Sequence, residues 1–361
     1  MIEENGDRAE SLGLWPDDEE PVPVLTAGRP GAWEHDGHPS AEPPLSSDAG
    51  PRRTADDFAA ERMLRLSEPA PTSGWRRTVF TLSGGLVHVG PSAAEIRRRE
   101  LIARVKTPIR GCRKIAFISR KGGVGKTSTC LLAGHTFAAY RGDRVVALDG
   151  NPDAGTLGHR LRRETAATVT SLLADAEAID RYADIRGYTS QASTRLEVIS
   201  ADDDPHVTQA IGRDEFRRAI EVLERHYNLV CLDTGTGVLE SATRGILDAA
   251  DQIVVVIAPS LDGARAASST LDWLEENGYG RLVAGAVGVV NGVRSPNGAV
   301  DLDRVEAHFA ARCRHTIRIP WDPHLETGAE VVVEELAAET QQAYLELAAA
   351  VAVGFNDPEG R

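Results

Sequence analysis

The sequence predicts a doubly wound α/β domain built on a mostly parallel sheet and preceded by a polar arm. Three observations carry that expectation. From Lys114 onward, short continuous Val/Ile/Leu runs alternate with longer segments of helical periodicity. Several of these runs lack the apolar–polar alternation of a half-exposed strand, so they read as strands covered on both faces. In residues 1–72, by contrast, ten of the chain's 19 prolines are concentrated. That stretch has too little apolar surface to offset chain entropy and is expected to be disordered.

The elements follow in order. The arm, 1–72, is acidic, and a short amphipathic helix over 56–68 is possible there on binding a partner. A neck, 73–110, begins with two β-prone runs around Gly84-Gly85, a hairpin pattern. It continues with Ser92 and Glu95 in capping-box spacing, which predicts a basic amphipathic helix over about 93–106. Such helices can lie on anionic membranes or nucleic acid, but packing on the neighbouring domain is the commoner use. The α/β domain, 111–356, offers strands at 114–119, 144–149, 196–199, 228–233, 252–258, 284–291 and 315–319. Helical patterns fall between them at 127–140, 213–226, 262–277 and 301–312. No internal repeat is visible.

Composition excludes several classes. Hydrophobic residues are 42% of the 361 but aromatics only 5%, so the core must be aliphatic. No run of about 18 uncharged apolar residues suggests a membrane span, and "MIEENGDRAE" is unlike a secretory or mitochondrial signal. A cytoplasmic protein is expected, peripheral at a membrane only through a partner. Cys112, Cys130, Cys231 and Cys313 form no C-x-x-C pair, which argues against an iron–sulfur or structural zinc site. The net charge of −14 disfavours nucleic acid by bulk electrostatics, yet it is unevenly spread. Residues 1–70 carry −10 and residues 71–114 carry +8.

The chemistry-bearing stretch is "FISRKGGVGKTST", Phe117 to Thr129. A strand running into a glycine-rich loop and then a helix places backbone N–H groups and a helix N-terminus around one point, a seat for phosphate oxygens. Gly122, Gly123 and Gly125 let the main chain approach without Cβ clashes, and Val124 and Ser128 complete the loop and first turn. Lys126 can reach the β- and γ-phosphates, and the Thr127 hydroxyl can ligate Mg²⁺. Two features depart from the ordinary phosphate loop: Arg120 stands where its first glycine belongs, and Lys121 is one lysine more than phosphate binding needs.

The string "KGGVGKTST" resembles the deviant Walker A loop of the ParA/MinD family of dimerising ATPases, over roughly residues 110–355. The resemblance implies a P-loop NTPase fold, ATP and Mg²⁺ as ligands and an ATP-bridged homodimer. It also implies that Lys121 reaches across to the partner's phosphates. Such a lysine acts as an arginine finger does, a cation supplied in trans to developing phosphoryl charge. In "ALDGNPDAGTL", Asp149 matches a strand-end carboxylate that holds a Mg²⁺-bound or attacking water. Family members commonly carry a second aspartate where this chain has Asn151. An amide can orient water but cannot take its proton, so slow hydrolysis is expected unless Asp149 or Asp153 compensates. In "LVCLDTGTG", Asp233 matches the Walker B aspartate that holds Mg²⁺ through water, and Thr234–Gly237 match switch II. Asn291 can pair with both edges of adenine, while Pro320 and Trp321 stand where the family frames the purine.

Within the family, the alanine-rich acidic C-terminus is unlike the basic membrane tail of MinD proteins, and the iron–sulfur and tyrosine-kinase branches lack their signatures. Arg304, Arg312, Arg314 and Arg318 could form a DNA-binding cluster, although solvated charge is the favoured reading. The strings "GWRRTVFTLSGG" (74–85), "PDAGTL" (152–157) and "SLDGARAASSTLDWLEENGY" (260–279) resemble actinobacterial type VII (ESX) secretion-associated, EspI-like ATPases. Three functions are therefore expected in descending order. The first is an ATP-dependent dimerising switch that controls a partner such as a secretion complex through the arm and neck. The second is a ParA-like DNA-positioning ATPase, and the third a weakly hydrolysing nucleotide-binding scaffold.

Overall fold

The computed structural model describes residues 81–83, 90–151, 155–202, 211–237, 240–294 and 300–356. The arm lies outside them. Of the neck hairpin, only 81–83 are described, and Thr81 and Leu82 are helical there rather than extended.

Among the described residues, eight strands form one sheet in the order β3-β4-β2-β5-β1-β6-β7-β8. They are β1 (Arg113–Ile118), β2 (Val145–Gly150), β3 (Ser190–Gln191), β4 (Glu197–Ile199), β5 (Leu229–Thr234), β6 (Gln252–Ile257), β7 (Val287–Val293) and β8 (His315–Pro320). Every pairing is parallel except β3 with β4. The expected strands are thus all present, with β3 added at the edge. Two residues are too few to show a period. The strand expected at 284 begins at Val287, because Gly280–Ala284 is a helical turn whose last carbonyls are closed by Gly285 N–H donating to Arg281 O at 3.2 Å.

Both faces of the sheet are covered, as continuous apolar strands require. On β1, Ala116 and Ile118 face one layer while Ile115 and Phe117 face the other, and β6 alternates likewise. The first layer contains the helices Arg213–Glu224, Ser241–Ala249 and Leu261–Glu276. The second contains α1 (Ala93–Val105), α2 (Lys126–Tyr140) and α3 (Ala338–Ala352).

The neck helix α1 is therefore part of the domain. Ser92 caps it, its Oγ accepting from Glu95 N–H at 3.2 Å. Leu101 and Val105 are buried in the second layer, each contributing about 1.5–3 kcal/mol if fully withdrawn from water. Arg141 closes its C-terminal end, donating to Val105 O at 2.5 Å and Thr107 O at 2.7 Å. The C-terminal helix α3 is mostly buried, with Tyr344, Leu347 and Val351 in the core. No described helix is long and apolar enough to cross a membrane.

Candidate functional site

Parallel strands place their C-terminal ends on one rim, where three of the sequence motifs converge. Between β1 and α2 the loop turns through Gly123 at φ +71° and Gly125 at φ +84°, left-handed values that favour glycine. Gly125 is also the N-cap of α2, and a Cβ there would run into Nδ2 of Asn291. Asn291 in turn donates to Val124 O at 2.7 Å, so the end of β7 is stitched to the loop. Arg120 takes no left-handed backbone. No steric demand for glycine therefore exists at that position, and its exposed side chain is tolerated. Ser119 Oγ accepts from Lys121 N–H at 3.3 Å, fixing the loop's entry.

The two lysines part company. Lys126 is buried and turned inward, donating to Asp233 Oδ1 at 2.7 Å and to the Thr234 carbonyl. Lys121 is half-buried, and its ammonium makes no hydrogen bond or ion pair among the described residues. Asp233 is itself buried, and its Oδ2 has no hydrogen-bond partner among the described residues. Thr234 Oγ1 donates to Phe117 O at 2.9 Å, tying the end of β5 to β1.

Asp149 stands directly beside Asp233 in the β2–β5 register. Its Oδ1 accepts from Asn151 N–H at 3.2 Å and its Oδ2 from Leu157 N–H at 3.0 Å. Burial first, and the charge of Asp233 second, push this carboxyl from 3.8 up to about 7. Gly155 lies so close that a Cβ there would overlap the carboxylate. Asp149 therefore organises the chain that follows it. Asp153 lies outside the described residues.

The donor set suits Mg²⁺ bound with a nucleotide. Thr127 lies in the first turn of α2, and a buried carboxylate oxygen on Asp233 lacks a partner among the described residues. Mg²⁺ keeps several waters and takes few protein ligands. Thr127 would hold it directly and Asp233 through water, with Asp149 next to Asp233; the ion would supply charge neutralisation to the phosphates.

A cavity of ≈ 440 Å³ opens from the loop toward β7 and β8. Gly123, Val124, Gly125 and Ser128 of the loop line it together with Asn291, Pro320 and Trp321. All three residues expected at the base thus share one space with the loop. The backbone N–H of Trp321 donates to Val293 O at 3.0 Å, and Arg294 stacks on its ring at 4.6 Å. The sequence reading missed Arg160, which also lines the cavity. It comes from a 3₁₀ turn, Leu157–Arg160, and nothing in "GHRLRRE" distinguishes it from Arg162 or Arg163.

The arginine cluster is largely neutralised. Arg312 pairs with Asp272 at 2.7 Å and Glu275 at 2.9 Å, Arg318 with Asp303 and Glu306 at 2.5 Å each, and Arg304 with Asp301 at 3.1 Å. This favours structural and solvated charge over a DNA surface.

A family model described as an AAA domain (AAA_31) matches residues 112–279. The ESX-1 secretion-associated protein EspI of Mycobacterium tuberculosis (strain H37Rv) is 38% identical over 287 residues, covering 78% of this chain and 42% of EspI. The chain has the ParA/MinD-type P-loop fold and is similar to EspI over most of its own length. It spans less than half the length of the EspI proteins it matches. The sporulation initiation inhibitor protein Soj of Bacillus subtilis (strain 168) is 25% identical, covering 66% of this chain and 97% of Soj. The fold of this ParA/MinD-type domain is shared with a ParA family ATPase from Chlorobium tepidum. That structure has a TM-score of 0.54 and 20% identity, covering 66% of this chain and 98% of the other. The cell division ATPase MinD of Pyrococcus furiosus is comparable, with a TM-score of 0.53, 18% identity and the same coverage of 66% and 98%.

Proposed function

We propose that the protein is an ATP-dependent switch. MgATP bridges two copies, and its slow hydrolysis releases them together with whatever partner the dimer holds. The observation that carries the reading is the divergence of the two lysines. Lys126 is committed to its own site beside Asp233, whereas the Lys121 ammonium has no described partner in its own chain. A second copy's phosphates would satisfy it. Each residue then has a task. Backbone N–H groups of Gly122–Ser128 and Lys126 bind the phosphates, Lys121 neutralises charge in trans, and Asn291 Oδ1 accepts from the adenine amine. Trp321 flanks the base beside Pro320.

Nucleophile activation is the weak step. Asn151 can orient water without accepting its proton, and both oxygens of Asp149 already receive backbone N–H groups. Basal turnover is therefore expected to be well below one per second, and Asn151→Asp is expected to raise it about tenfold. The measurement is ATP binding and phosphate release for wild type, Asn151→Asp and Lys126→Ala. Binding without turnover above Lys126→Ala would leave only a nucleotide-binding scaffold; no binding would remove the switch reading altogether. Similarity to EspI is the reason to look first among secretion components for the partner.

A further inference from the structure

We propose that Arg160 binds the nucleotide's α-phosphate, on the side opposite the phosphate loop. The assignment rests on the nucleotide reading above and names a contact that no motif supplies. Arg160 is the cationic residue among those lining the ≈ 440 Å³ cavity. Its Nε and Nη1 are buried and have no hydrogen-bond partner among the described residues. A guanidinium in that condition is costly, because buried charge normally finds a hydrogen-bonded counter-charge. Burial depresses its pKa, opposed mainly by the field of Asp233.

The lining carboxylates do not fill this need, being engaged elsewhere. Asp322 accepts from His324 N–H at 3.0 Å and from Ala337 N–H at 2.9 Å, and Glu326 pairs with Arg294 at 2.7 Å. The uncommitted charge facing the cavity is therefore positive, which selects an anion.

Position selects which anion. Lys126 and Asp233 do not line this cavity, whereas Gly125, Ser128 and Trp321 do. Arg160 thus shares one cavity with Ser128 of the loop's first helical turn and with Asn291 and Trp321, the stretch where the first phosphate would leave the ribose. Its backbone is held at both ends of its turn: Leu157 N–H donates to Asp149 Oδ2 at 3.0 Å, and Arg160 O accepts from Val331 N–H at 2.9 Å. The side chain is accordingly presented from a braced turn, and its fork can give a phosphate two parallel N–H donors.

The test is competition against a fluorescent ADP analogue by ATP, ADP, AMP and adenosine, for wild type, Arg160→Gln and Arg160→Lys. Arg160→Gln is expected to weaken ATP, ADP and AMP alike by about tenfold, the loss of one charge-assisted contact. It should leave adenosine binding unchanged without lowering the nucleotide-free melting temperature, and Arg160→Lys should recover part of the loss. Unchanged ADP affinity in Arg160→Gln overturns the assignment, as does an equal loss for adenosine, which would mark a general distortion of the pocket. If Arg160→Gln melts early, Arg160→Lys decides: retained adenosine with weakened ADP supports the contact, and parallel losses refute it. Failure of wild type to bind the analogue would instead remove the nucleotide reading on which the assignment stands.

Discussion

The two ends of the site are built differently. The phosphate end sits on strand termini: Asp149 and Asp233 are paired in register, both are buried, and Lys126 reaches Asp233 from the first turn of a helix. The base end is assembled from the far side of the sheet and from turns, with Asn291 on β7, Trp321 just after β8 and Arg160 on a 3₁₀ turn. Trp321 is 37% exposed, whereas Asp233 is 1% exposed. A rigid, desolvated phosphate end gives charge its full effect. A half-open base end contributes mainly apolar contact and selectivity, so the same kind of substitution should cost very different amounts at the two ends.

Lys126→Ala tests the larger side. It removes the phosphate contact and leaves Asp233 buried without its counter-charge, a change expected to cost about 3–5 kcal/mol of stability. Urea denaturation should show a large fall in midpoint, and titration with an ATP analogue should show binding lost. An unchanged midpoint would mean that the Lys126–Asp233 pair does not hold the rim together.

At the base end, Trp321→Ala should weaken ATP about fivefold by removing one stacking surface, with little change in stability since the ring is partly exposed. A loss equal to that of Lys126→Ala would erase the contrast between the two ends.

A pH slope tests the phosphate end without any ligand. The Asp149 carboxyl is raised from 3.8 to about 7, so the folded chain holds a proton there that the unfolded chain has released. Between those values the folded state binds more protons, and stability should fall as pH rises from about 4 to about 7. Asp149→Asn should flatten that part of a urea-midpoint profile. A slope unchanged in the variant would place its origin elsewhere.

The same contrast decides what could be read from sequence. The phosphate loop is contiguous and its chemistry dictates its glycines, so Gly123, Gly125 and Lys126 could be placed without coordinates. Asp233 closes a buried apolar run, but its role as the Mg²⁺-holding aspartate was placed through the family resemblance. Asn291 and Trp321 could be placed only through a family resemblance, and their common cavity with the loop is a fact of three-dimensional structure. Arg160 had no signal at all, being one arginine of three in four residues, distinguished only by what surrounds it. The strand β3 escaped because its position is set by pairing with β4, not by any pattern of its own.

The central claim is that ATP joins two chains and that Lys121 is the residue which reaches across. Sedimentation of wild type with ADP, wild type with ATP, and Lys121→Ala with ATP tests it most directly. Wild type with ATP alone should double in mass, and the other two should sediment as a single chain. Wild type that stays a single chain with ATP bound, or a Lys121→Ala variant that pairs as well as wild type, would contradict it.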